Sequence, residues 1–448
     1  MLWPDAIAGP NLVYHSRSQP VFMERVRLCF EQGAQRMLSI GLPKTPRAAQ
    51  EYLLRDDPYF GDRNASWFGK GAEALGISGQ VEDRAFMNLL DGMSPEGTLL
   101  VRAGGPGHRR IAGFDLTFSA PKSCTLVGLA DCRIVETHSG AVKKALTFAE
   151  ARYAQARIIS GAKQVEVPTG NLVAALFVHM TSRALDPQLH THAFVLNITR
   201  RLEDGQWRAL HRGKQITTRR ARAAVVSNPF YTHHLLLGQI YRNEIAAELA
   251  GRGYTVRITD PENGFWELAG VPEDLIKAFS KRRDEIEREA AHYLKSRPRA
   301  LSDEQEVYAR ATVHTRLWKR HAVDREQLLD MWKATARHLG TPLETLRDRA
   351  MLPERPFTEP TVPGPRECTP EELLAKALAL CAETQDQIRT PEHELLAALK
   401  LGIGSLRIDS LGGAAQKISF KGERKPEAVA TKDSLCRHKT IAERELAL

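Results

Sequence analysis

The stretch NLVAALFVHMTSRALDPQLHTHAFVLN, residues 171–197, holds two apolar runs on either side of a turn signal. The runs AALFV and AFVLN have the apolar and aromatic composition of β-strands. Between them, the pair Asp186–Pro187 is typical of a turn. Two runs this apolar, joined by so short a connection, predict adjacent antiparallel strands in the centre of a sheet.

Three histidines lie on these two predicted strands. His190 and His192 are two residues apart, so their side chains point to one face of a strand while Thr191 points to the other. Antiparallel pairing brings His179 alongside them. Three neutral imidazoles on one face can bind a divalent metal and leave coordination positions open for a phosphate oxygen or water. On spacing alone, the alternative of a solvated, histidine-rich sheet face stays open.

A metal centre that acts on a phosphodiester also needs a nucleophile. Serine and cysteine triad signatures are absent from the sequence, and the candidates are Tyr52, in RAAQEYLLRDDPYF, and Tyr59, seven residues further on. A phenol has a pKa of about 10, so it needs activation by a base or by a metal-bound phosphate. Without further information, the interpretation of Tyr52 as a packing aromatic is favoured over that as a nucleophile.

The segment GFDLTFSA, residues 113–120, predicts a strand that is polar on one face only. Alternation places Asp115, Thr117 and Ser119 on one face and the phenylalanines and leucine on the other. This pattern suits a polar site above an apolar core. Another short strand is predicted at GTLLVR, residues 97–102.

The chain of 448 residues divides into four predicted regions. Residues 37–345 alternate strands with amphipathic helices and form one large unit. Residues 346–370 are predicted to be a proline-rich linker. Residues 371–448 are predicted to form a small, mostly helical, winged-helix-like module of two short helices and two strand-like segments, SLRID and KISF. For residues 1–36 a functional N-terminal extension and a start codon assigned too far upstream both stay open, and the second is favoured.

Composition and charge narrow the class of protein. The chain is 42% hydrophobic and 26% charged, as in ordinary globular proteins, and its net charge of +9 favours a polyanionic partner. Six cysteines without a CxxC pair fit a reducing compartment. We find no secretory signal and no apolar stretch of transmembrane length, so we expect a cytoplasmic protein without membrane insertion. The GxxxxGK[ST] motif is absent, which predicts no ATP site in this chain.

Four segments together resemble the TraI/TrwC conjugative relaxases, the MobF group of the HUH endonuclease superfamily. In chain order they are MLSIGLPKTPRAAQEYLL (37–54), WFGKGAEALGISGQV (67–81), FDLTFSAPKS (114–123) and FVHMTSRALDPQLHTHAFVLN (177–197). The resemblance extends from Met37 to about residue 340, and TFSAPKS and DPQLHTHA are its most specific motifs.

The resemblance implies both a fold and an activity. The implied fold is α+β: a palm with a central antiparallel sheet flanked by helices, plus helical fingers that close over DNA. The implied activity is site- and strand-specific nicking of plasmid transfer-origin DNA, with a reversible 5′-phosphotyrosine link and a free 3′-OH. The cofactor would be a divalent metal ion, Mg, Mn or Zn. The partners would be single-stranded transfer-origin DNA and, in addition, relaxosome accessory proteins, a coupling protein and a helicase in trans.

The resemblance also assigns roles to residues of this sequence. Tyr52 matches the nucleophile, and Tyr59 lies where the family has a second tyrosine group. His179, His190 and His192 match the metal ligands. Asp115 matches an aspartate that activates the tyrosine or orients a histidine. We further expect Lys122, Arg183, Arg219 and Arg220 to contact DNA.

The sequence departs from the family pattern in several places. Many relatives carry doubled tyrosines, whereas Leu53 follows Tyr52 and Phe60 follows Tyr59, so Tyr59 serves as a second nucleophile or as a packing or stacking aromatic. The arginine-rich stretch RGKQITTRRARAAVVSNPF (212–230) is longer than usual and is interpreted either as a DNA contact or as a solvated loop.

The region after residue 370 resembles the segment that leads into the helicase in longer relatives. We therefore expect a truncated relaxase, a split gene product or a member that relies on a separate helicase. The alternative function is a catalytically inactive truncated remnant that only binds origin DNA. A more distant rival is an unrelated phosphodiesterase that acts on small nucleotides.

Overall fold

The computed structural model describes most of the chain between residues 38 and 411. The described residues are 38–40, 46–47, 49, 65–102, 111–160, 163–182, 184–211, 215–216, 225–226, 228–296, 311, 325–352, 369–370, 372–373, 375–376 and 391–411. Residues 46–47 and 49 are helical.

The strands and helices are numbered here in chain order. The strands are β1 (Leu38–Ile40), β2 (Ala65–Phe68), β3 (Gly113–Ser119), β4 (Gln155–Ser160), β5 (Lys163–Pro168), β6 (Ala174–Thr181), β7 (Pro187–Leu196), β8 (Thr199–Arg200), β9 (Trp207–Arg208), β10 (Gln215–Ile216), β11 (Val225–Val226), β12 (Val256–Asp260) and β13 (Phe265–Leu268). The helices are α1 (Lys70–Ala74), α2 (Asp83–Leu90), α3 (Lys122–Gly128), α4 (Arg133–Tyr153), α5 (Pro229–Thr232), α6 (His234–Gly251), α7 (Glu273–Ala278), α8 (Lys281–Ser296), α9 (Arg325–His338), α10 (Leu346–Met351) and α11 (Pro391–Leu401). Two 3₁₀ turns lie at Leu343–Thr345 and Asp409–Leu411.

A five-stranded antiparallel sheet forms the centre of the molecule, with the strand order β1-β3-β7-β6-β2. The strand β7 lies in the middle, between β3 and β6. The two strands predicted from residues 171–197 are therefore adjacent, antiparallel and internal to the sheet, as expected. The remaining strands pair as separate ribbons, β4 with β5, β8 with β9, β10 with β11, and β12 with β13.

The two faces of the central sheet are covered differently. One face packs against α4 and α6 in the main core, where Phe114 and Phe118 of β3 are fully buried. The other face is apolar at one end, where Phe86 of α2 lies 5.4 Å from Phe177 and 5.9 Å from Phe194 between ring centroids. Burial of these aromatic rings fixes α2 against the sheet. The other end of this second face carries the polar side chains predicted to form the site.

The segment GTLLVR, residues 97–102, does not form the predicted strand. Its pairing among the described residues is a single bridge between Met93 and Leu99. The side chain of Leu99 is exposed, whereas Val101 is buried in the apolar cluster around Phe86, so the segment packs without strand pairing.

The C-terminal boundaries also differ from the prediction. Residues 346–351 form the helix α10, and Leu346 and Ala350 are fully buried in the main core. These six residues therefore belong to the folded unit, not to the linker predicted over 346–370. Residues 353–368 lie outside the described residues.

One of the two short helices predicted after residue 370 is confirmed as α11. The segment SLRID, Ser405–Asp409, is not a strand. Its backbone groups are bonded to α6 instead: Asn243 donates to the carbonyl of Leu406 at 3.1 Å, and the Ile408 amide donates to Glu244 at 2.7 Å. Leu406 belongs to the same apolar core as the central sheet. The second segment, KISF, lies outside the described residues. Over the described part, residues 391–411 pack onto the main core. The winged-helix-like module over residues 371–448 stays a prediction.

None of the helices that the structure describes combines the length and apolar character needed to span a bilayer.

Candidate metal centre

Strand pairing brings the three predicted histidines into one cluster. His179 of β6 lies directly opposite His190 of β7, and His192 follows on the same face two residues later. The centroids of each pair of imidazole rings are 5.2 Å apart. One nitrogen from each ring lies within 4.8 Å of those of the other two, a spacing at which a single ion can bind all three.

Asp115 of β3 supports the cluster from the neighbouring strand. Its Oδ1 accepts a hydrogen bond from Nδ1 of His192 at 2.9 Å, and Oγ1 of Thr117 lies 3.0 Å from the same nitrogen. A carboxylate can only accept this bond, so Nδ1 of His192 carries the proton and Nε2 is left with its lone pair. A histidine held in this way has its metal-binding nitrogen fixed in tautomer and orientation.

The tautomer of His190 is set by its own strand. Its Nδ1 lies 2.9 Å from the carbonyl oxygen of Gln188, which accepts the proton of that nitrogen. Nε2 of His190 is therefore also free to bind a metal. This contact has no signature in the sequence, because any residue two positions before His190 supplies the same backbone carbonyl.

Burial keeps two of these imidazoles, His179 and His190, neutral. The pKa of His179 is lowered to about 3, mainly by burial and also by the neighbouring His192, while Asp115 opposes the change. Burial and the two other imidazoles likewise hold the pKa of His190 well below its ordinary value. Neutral imidazole is the form that binds metals, so the three residues fit a borderline divalent cation.

Lys122, the lysine of TFSAPKS, is the first residue of α3, and its side chain reaches the start of β7. Its ammonium donates to the carbonyl oxygen of Pro187 at 2.8 Å. Burial lowers its pKa to about 8, although the carboxylates of Asp186 and Glu267 favour its charged form. Lys122 therefore connects the first turn of α3 to the strand that carries two of the histidines, and its predicted contact with DNA stays a prediction.

Five of the residues predicted for the site lie outside the described residues. They are Tyr52, Tyr59, Arg183, Arg219 and Arg220. The structure thus brings together the three histidines and Asp115. Lys122 holds the end of β7 at Pro187, three residues before His190.

Comparison with known proteins identifies the domain that carries this cluster. The TrwC relaxase family model matches residues 46–339. The multifunctional conjugation protein TraI of Escherichia coli K12 is 35% identical over 336 residues, which are 73% of this chain and 18% of TraI. The chain therefore spans about a fifth of the length of the curated relatives that it matches.

Solved structures of the conjugative relaxase TrwC in complex with oriT DNA share the fold. The metal-free structure is 38% identical, with a TM-score of 0.57, and covers 68% of this chain and 100% of its own. The metal-bound structure is 37% identical and the copper-bound structure 39% identical, with the same TM-score of 0.57 and the same coverage. The family model covers more than half of the chain, and its range includes the three histidines and Asp115. This chain belongs to the TrwC relaxase family.

Proposed function

We propose that this chain is a conjugative relaxase that nicks one strand of plasmid transfer-origin DNA, with Tyr52 as the nucleophile. The observation that carries the proposal is the cluster of His179, His190 and His192, oriented by Asp115, inside the domain that the family model matches. The related TrwC structures contain oriT DNA, and one contains a 27-mer with the recognition hairpin and the cleavage site. The net charge of +9 suits such a partner.

The proposed reaction exchanges one phosphodiester for another. The phenolate oxygen of Tyr52 forms a bond to phosphorus while the bond between phosphorus and the 3′ oxygen of the preceding nucleotide breaks. The phenol proton passes to a base or to water, and the departing 3′ oxygen gains a proton to become a 3′-OH. The 5′ phosphate stays on Tyr52, so the reaction consumes no ATP and its reversal reseals the strand.

The histidines supply the site for a divalent ion in this proposal. Such an ion, when bound, polarises a phosphate oxygen and stabilises the charge that develops on it. Three neutral nitrogen ligands leave the charge of the ion undiminished, and imidazole ligands favour Zn²⁺ over Mg²⁺ and Mn²⁺, which prefer oxygen. Of the two roles implied for Asp115, its hydrogen bond to His192 supports orientation of the ligand.

The remaining roles rest on the family resemblance. Tyr59 is proposed as the second nucleophile, used when the transferred strand is released. Arg183, Arg219 and Arg220 are proposed to contact DNA phosphates. Relaxosome accessory proteins, a coupling protein and a helicase in trans are proposed as further partners.

The central test is a covalent adduct with DNA. The full chain is mixed with Zn²⁺ or Mn²⁺ and single strands from the intergenic region upstream of its gene, then analysed on a denaturing gel. We expect the wild-type chain to form a protein–DNA adduct and Tyr52→Phe to form none. Tyr59→Phe is the matched control, because it removes the same hydroxyl seven residues away and leaves the first cleavage intact.

The same experiment separates the alternatives. An adduct formed by Tyr52→Phe would assign the nucleophile to another tyrosine. Binding by the wild-type chain without any adduct would favour the inactive remnant. We expect His190→Ala to lose cleavage while DNA binding stays within about tenfold, because phosphate and base contacts elsewhere carry most of the affinity.

A further inference from the structure

A buried histidine lies beneath the metal centre, on the opposite face of β7. His138 of α4 is fully buried, and its Nε2 lies 2.7 Å from Oγ1 of Thr191. Its Nδ1 lies 2.7 Å from the hydroxyl of Tyr241 on α6, which is also fully buried. The His138 and Tyr241 rings meet edge to face, with their centroids 5.5 Å apart.

Thr191 is the residue between the two metal-ligating histidines of β7. Because side chains alternate along a strand, Thr191 points into the core while His190 and His192 point to the site. Any displacement of the Thr191 backbone therefore moves both neighbouring histidines. The hydrogen bond from Thr191 ties this one position to two helices at once, α4 through His138 and α6 through Tyr241.

The chemistry of the three groups is complementary. A neutral imidazole has one N–H donor and one acceptor nitrogen, and each hydroxyl can donate or accept. His138 can therefore satisfy both hydroxyls in either tautomer, and all three polar groups are paired inside the core. Burial lowers the pKa of His138 to about 3, which keeps the imidazole in this neutral form.

We propose that His138 is a positioning residue for the metal centre: by holding Thr191 it fixes the placement of His190 and His192 on β7. This inference rests on the proposed function, since it assumes that the three histidines bind a metal. The competing interpretation is a purely structural core histidine, which would affect stability and leave metal binding unchanged.

The test uses Co²⁺ alone as the probe, in the absence of DNA. The full chain is freed of metal with EDTA, and Co²⁺ is added while its visible absorption bands are recorded. Because partners that orient metal ligands typically contribute about 10–100-fold in metal affinity, we expect Thr191→Val to weaken Co²⁺ binding by about tenfold and to alter the bands. Thr191→Ser, which keeps the hydroxyl, should restore both the affinity and the spectrum.

Thr199→Val is the matched control. Thr199 is a fully buried threonine on β8 whose Oγ1 donates to Thr169 and Asn171, at 2.6 and 2.9 Å, away from the three histidines. Its substitution removes comparable hydrogen bonds and should lower the unfolding temperature without changing Co²⁺ affinity. If Thr191→Val does not fold, Tyr241→Phe decides instead, because it keeps the ring and removes only the hydroxyl that holds His138.

The outcomes are distinct. Wild-type Co²⁺ affinity and spectrum in folded Thr191→Val, or in Tyr241→Phe in its place, would overturn the positioning role and leave the metal centre intact. A wild-type chain that binds no Co²⁺ would overturn the metal centre itself, and the inference with it. A loss of affinity equal to that in Thr199→Val would show that the effect follows from general destabilisation and would also overturn the positioning role.

Discussion

Asp115 and His192 are joined across two neighbouring strands by a 2.9 Å hydrogen bond between Oδ1 and Nδ1. Both side chains are almost completely buried. Thr117, directly opposite His192 in the strand pairing, adds a second polar contact to the same nitrogen. The carboxylate therefore fixes the tautomer and the orientation of the His192 ring.

Replacing this carboxylate should weaken the metal centre without unfolding the sheet. Asp115→Asn keeps the size of the side chain but removes the charge that supports His192. Since loss of such a partner typically weakens metal binding by about 10–100-fold, we expect a decrease of that size in Zn²⁺ affinity, measured by calorimetry. The exposed Asp91→Asn serves as the control and should bind Zn²⁺ as the wild type does. Equal affinities for the two variants would contradict the role of Asp115.

Local patterns are enough to predict that the three histidines cluster, because they lie on neighbouring strands, whereas the choice of a metal site over a solvated sheet face depends on the family resemblance. The two-residue period places His190 and His192 on one face, and the short turn after β6 places His179 opposite them. The same alternation predicts that Asp115 faces the site, and its hydrogen bond to His192 confirms it.

The supporting contacts could not be predicted in this way, because they join distant parts of the chain. His138 lies 53 residues before Thr191 and 103 residues before Tyr241. A single histidine in an amphipathic helix gives no signal of what it will contact. The contact between Asn243 and Leu399 spans 156 residues, so the docking of the C-terminal segment likewise had no local signature.

Substitution of Lys122 tests whether this side chain contacts DNA or holds α3 against β7. A lysine that binds a phosphate contributes about one unit to the slope of log affinity against log salt. Because the ammonium of Lys122 is bonded to the Pro187 carbonyl, we expect Lys122→Met to leave this slope unchanged and to lower the unfolding temperature. Arg219→Ala, at a predicted phosphate contact, is the comparison and should reduce the slope by about one. A slope reduced by about one in Lys122→Met would instead support its predicted contact with DNA.

The buried His138 should make the metal-free protein sensitive to acid. Its pKa is lowered to about 3 by burial, whereas an unfolded histidine titrates near 6.5. Between these values the unfolded state binds more protons, so the free energy of unfolding falls as the pH falls. One such group contributes at most about 1.4 kcal/mol per pH unit. We expect His138→Gln to reduce the slope between pH 6 and pH 4 by up to that amount, measured by urea unfolding in EDTA.

His179 and His190 contribute to the same slope and remain in the variant, so part of the pH dependence should persist. The exposed His338→Gln is the control and should give the wild-type slope. Parallel stability curves for His138→Gln and the wild type between pH 6 and pH 4 would show that His138 does not stay neutral in the folded protein.

Replacing Gly113 and Gly140 by alanine should change the stability of the protein in opposite directions. A Cβ at Gly113, the first residue of β3, would lie 2.3 Å from the Val195 carbonyl oxygen, so β3 and β7 would have to separate. We expect Gly113→Ala to destabilise the protein by about 1–3 kcal/mol, as overpacking does. At Gly140, exposed within α4, a Cβ would meet nothing within 4 Å. Gly140→Ala should therefore stabilise the protein by about 0.5–1 kcal/mol. Thermal unfolding of the two variants measures both changes, and a Gly113→Ala variant more stable than Gly140→Ala would contradict the prediction.

A buried side-chain amide of α6 is hydrogen-bonded to the C-terminal segment, residues 391–411. Nδ2 of Asn243 donates to the carbonyl oxygens of Leu399 at 2.9 Å and Leu406 at 3.1 Å, and Gly402 lies within 3.3 Å. Asn243→Ala removes the hydrogen bond to the Leu406 carbonyl, at about 1–3 kcal/mol, whereas the carbonyls of Leu399 and Gly402 keep backbone donors. We expect the segment to open more often while the central sheet stays closed.

Amide hydrogen exchange of the full chain measures this opening directly. Since about 1.4 kcal/mol corresponds to a factor of ten in an opening equilibrium, exchange over residues 391–411 should be at least about fivefold faster in Asn243→Ala, with β7 unchanged. Asn88→Ala removes an amide that donates to the Pro95 carbonyl at 2.8 Å, on a different part of the surface, and should leave residues 391–411 as in the wild type. Unchanged exchange over residues 391–411 in Asn243→Ala would mean that the apolar contacts of Leu399 and Leu406 suffice to hold the segment.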